Sequence, residues 1–222
     1  MAKSRNCLTA AGLSVFGALL ILLAFTTKSW LVTDGKLKHP EFERLGLWVV
    51  CSKEFEDPRH WHDAKFHNCW WVFEEEYYII SDIIFEDFYI ATQFFFTACV
   101  LFTVSGLFYT TLYIYLNRAY EYYVQILSAG ILNIAAAVCS NIALIIFGIY
   151  GDSREWMPHW GHNDIGWSFG VAVIGTIALY VSGVLYVIEQ RVYKVKRENM
   201  ATQRANYNYE AIDLIQSSHT AV

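Results

Sequence analysis

Cysteine and histidine are the residue types in this 222-residue chain best placed to do covalent or metal chemistry. Seventeen residues separate Cys51 from Cys69, and the segment between them is polar. It contains Pro58, with His60, His62 and His67 beside Asp57 and Asp63. Imidazole and carboxylate are zinc ligands, but a zinc site needs three or four of them converging in a fixed geometry. No recognised ligand spacing occurs here, so these residues read as solvated or interface-facing, and no metal or cofactor is expected. The chain also lacks a G-x-S-x-G, P-loop or H-E-x-x-H motif. Catalysis has no visible apparatus. What remains is the chemistry of two thiols, which depends on the compartment they face.

The compartment follows from the distribution of charge. Hydrophobic residues make up 55% of the chain and charged residues 17%, with a mean hydropathy of +0.30. Soluble domains run nearer one quarter charged. A disordered chain is excluded, and an ordinary soluble enzyme is disfavoured. The net charge of −5 offers no basic face for nucleic acid. Four stretches lack every ionisable Asp, Glu, Lys, Arg and His: Asn6–Thr27, Phe88–Asn117, Tyr122–Gly151 and Ile165–Ile188. About 20 apolar residues in a helix cross the hydrocarbon core, so each stretch predicts a membrane span within a single unit, 1–222. The first stretch, preceded by Lys3 and Arg5, has a cleaved signal peptide as its alternative, although its apolar core from Leu8 to Phe25 is long for one.

Basic residues set the orientation. Lys3 and Arg5, Arg118, and Arg191, Lys194, Lys196 and Arg197 all fall on one side if both termini are cytoplasmic. The other side then holds a large loop, 28–87, and a short one, 152–164. All eight Trp residues lie in or beside these outer loops. Leu45–Cys51 and Cys69–Phe73 read as strands, with Ser52–Asn68 as a polar hairpin tip. The shorter loop has room to add an edge strand. The expected fold is therefore an all-α membrane protein with a small β domain: a four-transmembrane-helix bundle carrying an extracellular antiparallel β-sheet. Cys51 and Cys69 are the only outer cysteines, since Cys99 and Cys139 lie in spans and Cys7 faces the cytoplasm. On the oxidising side they should pair, stabilising the loop by about 3 kcal/mol.

Within the spans Gln93, Asn133 and Asn141 are the strongest hydrogen-bonding groups, and no ionisable group is present. This argues against transport through the bundle. The two asparagines are expected to bond between helices, and the stripes Ala10/Ser14/Ala18 and Ser168/Ala172/Thr176 let helices approach closely. The tail, 189–222, is expected to be flexible, with a basic start that suits anionic lipid. Its Thr220-Ala221-Val222 sequence suits a class I PDZ groove, with Val222 in the apolar pocket and the Thr220 hydroxyl as the second determinant.

Trp30 at the mouth of the first span, then Gly46-Leu47-Trp48, Cys51 and Cys69, resemble the W…GLW…C…C signature of the claudin superfamily. That superfamily includes tight-junction claudins, peripheral myelin and epithelial membrane proteins, and calcium-channel gamma subunits. The cysteine spacing, roughly twice that of vertebrate claudins, looks more like divergent invertebrate claudins of septate junctions. The resemblance implies a bundle whose sheet is anchored at the membrane by Trp30 and the GLW segment. It also implies polymerisation within one membrane, trans pairing across to a neighbouring cell, and capture by PDZ scaffold proteins at lateral junctions of the plasma membrane. Without the GLW and cysteine spacing, Trp30 is simply one more interfacial aromatic. A second functional class within the superfamily is the auxiliary subunit or trafficking partner of a channel or receptor. A membrane enzyme is a distant third.

Overall fold

The computed structural model describes residues 4–36, 40–56, 65–75, 84–115, 122–151, 156–157 and 160–220. Four helices dominate them: α1 Arg5–Thr26, α2 Asp87–Tyr115, α3 Tyr122–Tyr150 and α4 Trp167–Thr220. Each contains a stretch long and apolar enough to cross a membrane, and the chain is a membrane protein. Over these stretches the helices are apolar all round, as expected where one side faces core and the other lipid. Residue size therefore separates the two sides more than polarity does. Cys7, Ala10, Ala11, Ser14, Gly17 and Ala18 turn inward from α1, while Leu8, Val15, Phe16, Leu19 and Leu23 turn outward. The second small stripe, Ser168, Ala172 and Thr176 of α4, is also buried. Along the bundle α1 packs on α4, α2 on α3, and α3 on α4.

Inside the bundle every helix contributes to polar bridges. Asn133 Nδ2 of α3 donates to Ser14 Oγ of α1 at 3.0 Å and to Ser182 Oγ of α4 at 3.1 Å. Ser182 Oγ in turn donates to the Ala10 carbonyl at 2.7 Å. Ser140 and Thr176 join α3 to α4 at 2.6 Å, and Tyr186 donates to Thr110 of α2 at 3.2 Å. Such bonds satisfy groups that lipid cannot. Asn133 thus behaves as expected. Asn141 does not: it is exposed on α3, because the helical period carries it off the Ala136–Asn133–Ser140 face.

At one end of the bundle stands a five-stranded antiparallel sheet. Its strands are β1 Leu31–Thr33, β2 Phe42–Leu45, β3 Val49–Glu56, β4 Lys65–Trp71 and β5 Asn163–Ile165, in the order β4-β3-β2-β1-β5. The last strand comes from the segment between α3 and α4, so the sheet knits both loops together. The run Leu45–Cys51 is not one strand. Leu45 ends β2, Gly46–Trp48 turns the chain, and β3 starts at Val49, because the Gly46 N–H bonds back to the Val49 carbonyl at 2.8 Å. The β3–β4 pair also extends further into the polar segment than its composition suggests, with Glu56 opposite Lys65. Residues 57–64, including Asp57, His60, His62 and Asp63, lie outside the described residues.

The flexible tail expected from residue 189 onward is corrected by the structure. α4 runs on without interruption to Thr220. No Gly or Pro occurs between Ile188 and Thr220, and Glu, Gln, Lys, Arg and Ala recur along the segment. With strong helix formers and no stop signal, the span's helix propagates instead of nucleating anew. Val222 lies outside the described residues.

Candidate functional site

The junction between sheet and bundle is built around Trp30, which is 0% exposed. Its Nε1–H donates to the Ala24 carbonyl at 2.8 Å, capping an orphan acceptor in the last turn of α1. Its ring meets Phe96 of α2, Phe147 of α3 and Phe169 of α4 edge-on, with centroids 5.0, 5.2 and 5.9 Å away. One side chain therefore touches all four helices. Its backbone reaches two more elements: the Trp30 N–H donates to the Leu45 carbonyl at 2.8 Å, and the Gly166 N–H donates to the Trp30 carbonyl at 2.8 Å. Trp30 is a core plug rather than an interfacial aromatic.

The Gly46–Trp48 turn sits directly on the helix ends. An added Cβ at Gly46 would lie 2.5 Å from the Thr27 carbonyl oxygen and 2.7 Å from Lys28 Cα. Only glycine permits that approach. The turn's carbonyls are gripped from α2: Tyr89 OH reaches the Gly46 and Leu47 carbonyls at 2.8 and 2.9 Å, and Gln93 Nε2 donates to Leu47 at 2.7 Å. Leu47 is fully buried. Trp48 packs on Phe25 of α1 and on Phe73, with centroids 5.3 and 6.1 Å away, and its carbonyl accepts from the Val72 N–H at 2.9 Å. Beyond it, Trp71 and Phe73 are 56% and 58% exposed at the foot of β4.

Above this base, Cys51 and Cys69 stand opposite each other on β3 and β4 and are joined by a disulfide. Next to them Asn68 adopts φ 72°, where the pairing shifts register between Ser52 and Phe55. Asparagine tolerates this left-handed backbone better than most residues. The His67 ring donates to the Lys53 carbonyl across the same irregularity. Among the described residues, no three His, Cys, Asp or Glu side chains converge as a metal site requires.

A second clasp closes the far edge of the sheet. The Asp34 N–H donates to the His162 carbonyl at 2.7 Å, and His162 Nδ1 donates to Asp34 Oδ2 at 2.9 Å. The Asp34 side chain is 9% exposed. Its bond to His162, then the Lys36 N–H on Oδ1, lower its pKa from the ordinary 3.8 to about 2. A depressed carboxyl pKa stabilises the fold above its ordinary range and loses that effect only as pH falls toward 2. The carboxylate side of the clasp therefore persists through mildly acid pH.

Sequence reasoning picked out Trp30, Gly46, Leu47, Trp48, Cys51 and Cys69, and the structure brings all six to one end of the molecule. It missed Tyr89, Gly166, Trp156, Asp34 and His162. Trp156, one of the eight tryptophans in or beside the outer loops, is buried against Phe88, Tyr89 and Phe147, with centroids 4.7, 5.5 and 6.3 Å away. Gln93 was noticed as polar, and its position about one turn after Tyr89 was the available signal for the grip.

A four-helix membrane protein with a disulfide-bonded sheet plugged into its helix ends is a defined class. The profile of the PMP-22/EMP/MP20/Claudin tight junction family matches residues 15–188, and the chain belongs to that family. No curated protein matches the chain.

Proposed function

We propose that this chain is a claudin-like cell–cell junction protein that self-associates in the lateral plasma membrane and seals or tunes the paracellular space. In this reading the sheet is extracellular and both termini are cytoplasmic, as the placement of Lys3, Arg5, Arg118 and Arg191–Arg197 supports. The observation that carries it is the five-stranded sheet, drawn from both loops and rooted in the helix ends of a claudin-family chain. Such a platform holds a surface at a fixed height above the bilayer. The residues Thr220 and Val222 are proposed as a PDZ ligand for junctional scaffolds. Because a PDZ groove takes an extended strand, capture requires the end of α4 to unwind locally.

Expression in a cell line without junctions tests the reading. The protein is expected to concentrate where two expressing cells touch, and not where only one expresses it. Diffuse surface staining that changes only when a channel is co-expressed would favour the auxiliary-subunit role instead.

Charge gives a second expectation. Residues 31–87 contain 13 acidic and six basic residues, a net charge of −7 with His neutral. A field of that sign attracts cations over about 8–10 Å at physiological salt. If this segment lines the paracellular gap, dilution potentials across an expressing epithelium are expected to show cation preference. Anion preference, or none, would remove the lining role.

A further inference from the structure

We infer that Asn141 is an intramembrane contact for a second copy of this chain. The outward face of α3 carries Ile131, Val138, Ile145 and Ile149, as apolar as lipid demands. Asn141 interrupts that face one turn from both Val138 and Ile145. It lies nine residues before the end of α3 at Tyr150, about 14 Å along the axis and inside a hydrocarbon layer about 30 Å thick. Its amide has no hydrogen-bond partner among the described residues.

Two exposed hydroxyls in the spans are satisfied locally. Ser105 donates to the Leu101 carbonyl at 2.9 Å and Thr111 to the Leu107 carbonyl at 2.8 Å, each closing on its own helix. Asn133, the other asparagine of α3, is buried and donates to two serines. A free amide carries two N–H donors and a carbonyl acceptor, and lipid tails supply partners for neither.

A second copy supplies both. A parallel neighbour related by a two-fold axis along the membrane normal brings an identical amide to the same depth. The amide is self-complementary, so each Nδ2 donates to the other Oδ1. Val138 and Ile145 then pack on either side. This contact rests on the self-association in the proposed function and assigns one of its interfaces, in the plane of the membrane.

Donor- and acceptor-labelled copies of the full chain, reconstituted in lipid vesicles and diluted with lipid, test the contact by energy transfer. Asn141→Leu is expected to weaken association about tenfold, while Asn141→Gln, which keeps the amide, retains most of it. Both substitutions lie on the exposed face, so an unchanged thermal midpoint verifies the fold. Wild-type-like association of Asn141→Leu overturns the inference. Equal loss in the Leu and Gln variants does so as well, since shape rather than the amide would then matter. A wild type that stays monomeric at every dilution also overturns it. Vesicles contain no apposed cell, so such failures leave the junction reading standing. Conversely, intact energy transfer without accumulation at cell contacts would sink the junction reading alone.

Discussion

Gly166→Ala is expected to release the sheet from the bundle. A Cβ at that position would lie 2.0 Å from the Ser29 carbonyl oxygen and 2.7 Å from its carbonyl carbon, both backbone atoms that no rotamer change can move. The strand-to-helix passage at Gly166 is held by the bonds from its own N–H to the Trp30 carbonyl and from the Ser168 N–H to the Ser29 carbonyl, at 2.8 and 3.1 Å. Relieving the collision means lengthening these, which lifts β5 off β1 and loosens the Trp30 plug together. The cost is about 3 kcal/mol, at the upper end of overpacking, and a fall in the thermal midpoint on the order of 10 °C follows. Gly46→Ala, with the Thr27 carbonyl oxygen 2.5 Å away, is expected to act in the same direction and less severely. Gly170→Ala is the control: it sits in α4 with nothing within 4 Å of the added methyl, and alanine favours the helix. Thermal unfolding in detergent, followed by size-exclusion, reads all three. A Gly166→Ala midpoint equal to that of Gly170→Ala would show that the passage is not rigid.

These two glycines mark how far a sequence can be read. Gly46 stood in a recognisable triplet, and its role follows from local order: a turn between strands, resting on the helix that precedes them. Gly166 has no signature, because what it avoids is Ser29, more than a hundred residues away. The helices were legible for a related reason. A span is a local property of about 20 residues, and no distant contact is needed to see it. Which face of a span turns inward is not local, and there the two asparagines of α3 parted company: eight positions apart on one helix, one is buried in a three-helix bridge and the other faces out. The same limit explains Tyr89 and Gln93. Their spacing puts them on one face of α2, but only the register of the β2–β3 turn says that face meets carbonyls. The helical continuation to Thr220 failed differently. Its polar composition suggested flexibility, yet propagation from an existing helix needs only the absence of a stop.

Replacing Cys51 with Ser is expected to destabilise the sheet and leave the helices folded. The disulfide joins β3 and β4 at directly opposed positions, and closing a loop of this size contributes about 3 kcal/mol. Among the described residues β4 is an edge strand with β3 as its single strand neighbour, and Asn68 beside the cysteine holds a φ of 72°. It therefore has little else to keep its register. Without the bond, the pairing of Val50 with Trp70 and of Val49 with Trp71 should open first, carrying Val72 away from the Trp48 carbonyl. Trp30 and Gln93 do not depend on β4, and the helix contacts they make should survive. Limited proteolysis separates the two outcomes. Cleavage within residues 65–75 should accelerate on the order of a hundredfold if opening follows the lost 3 kcal/mol, while α1–α4 stay protected. Cys69→Ser should match Cys51→Ser, and the double variant should be no worse than either, because all three remove the same constraint. If the helices unfold with the sheet, the disulfide supports the whole molecule and not its edge. If cleavage is unchanged, or both thiols of the native protein alkylate, the bond does not hold β4 in place.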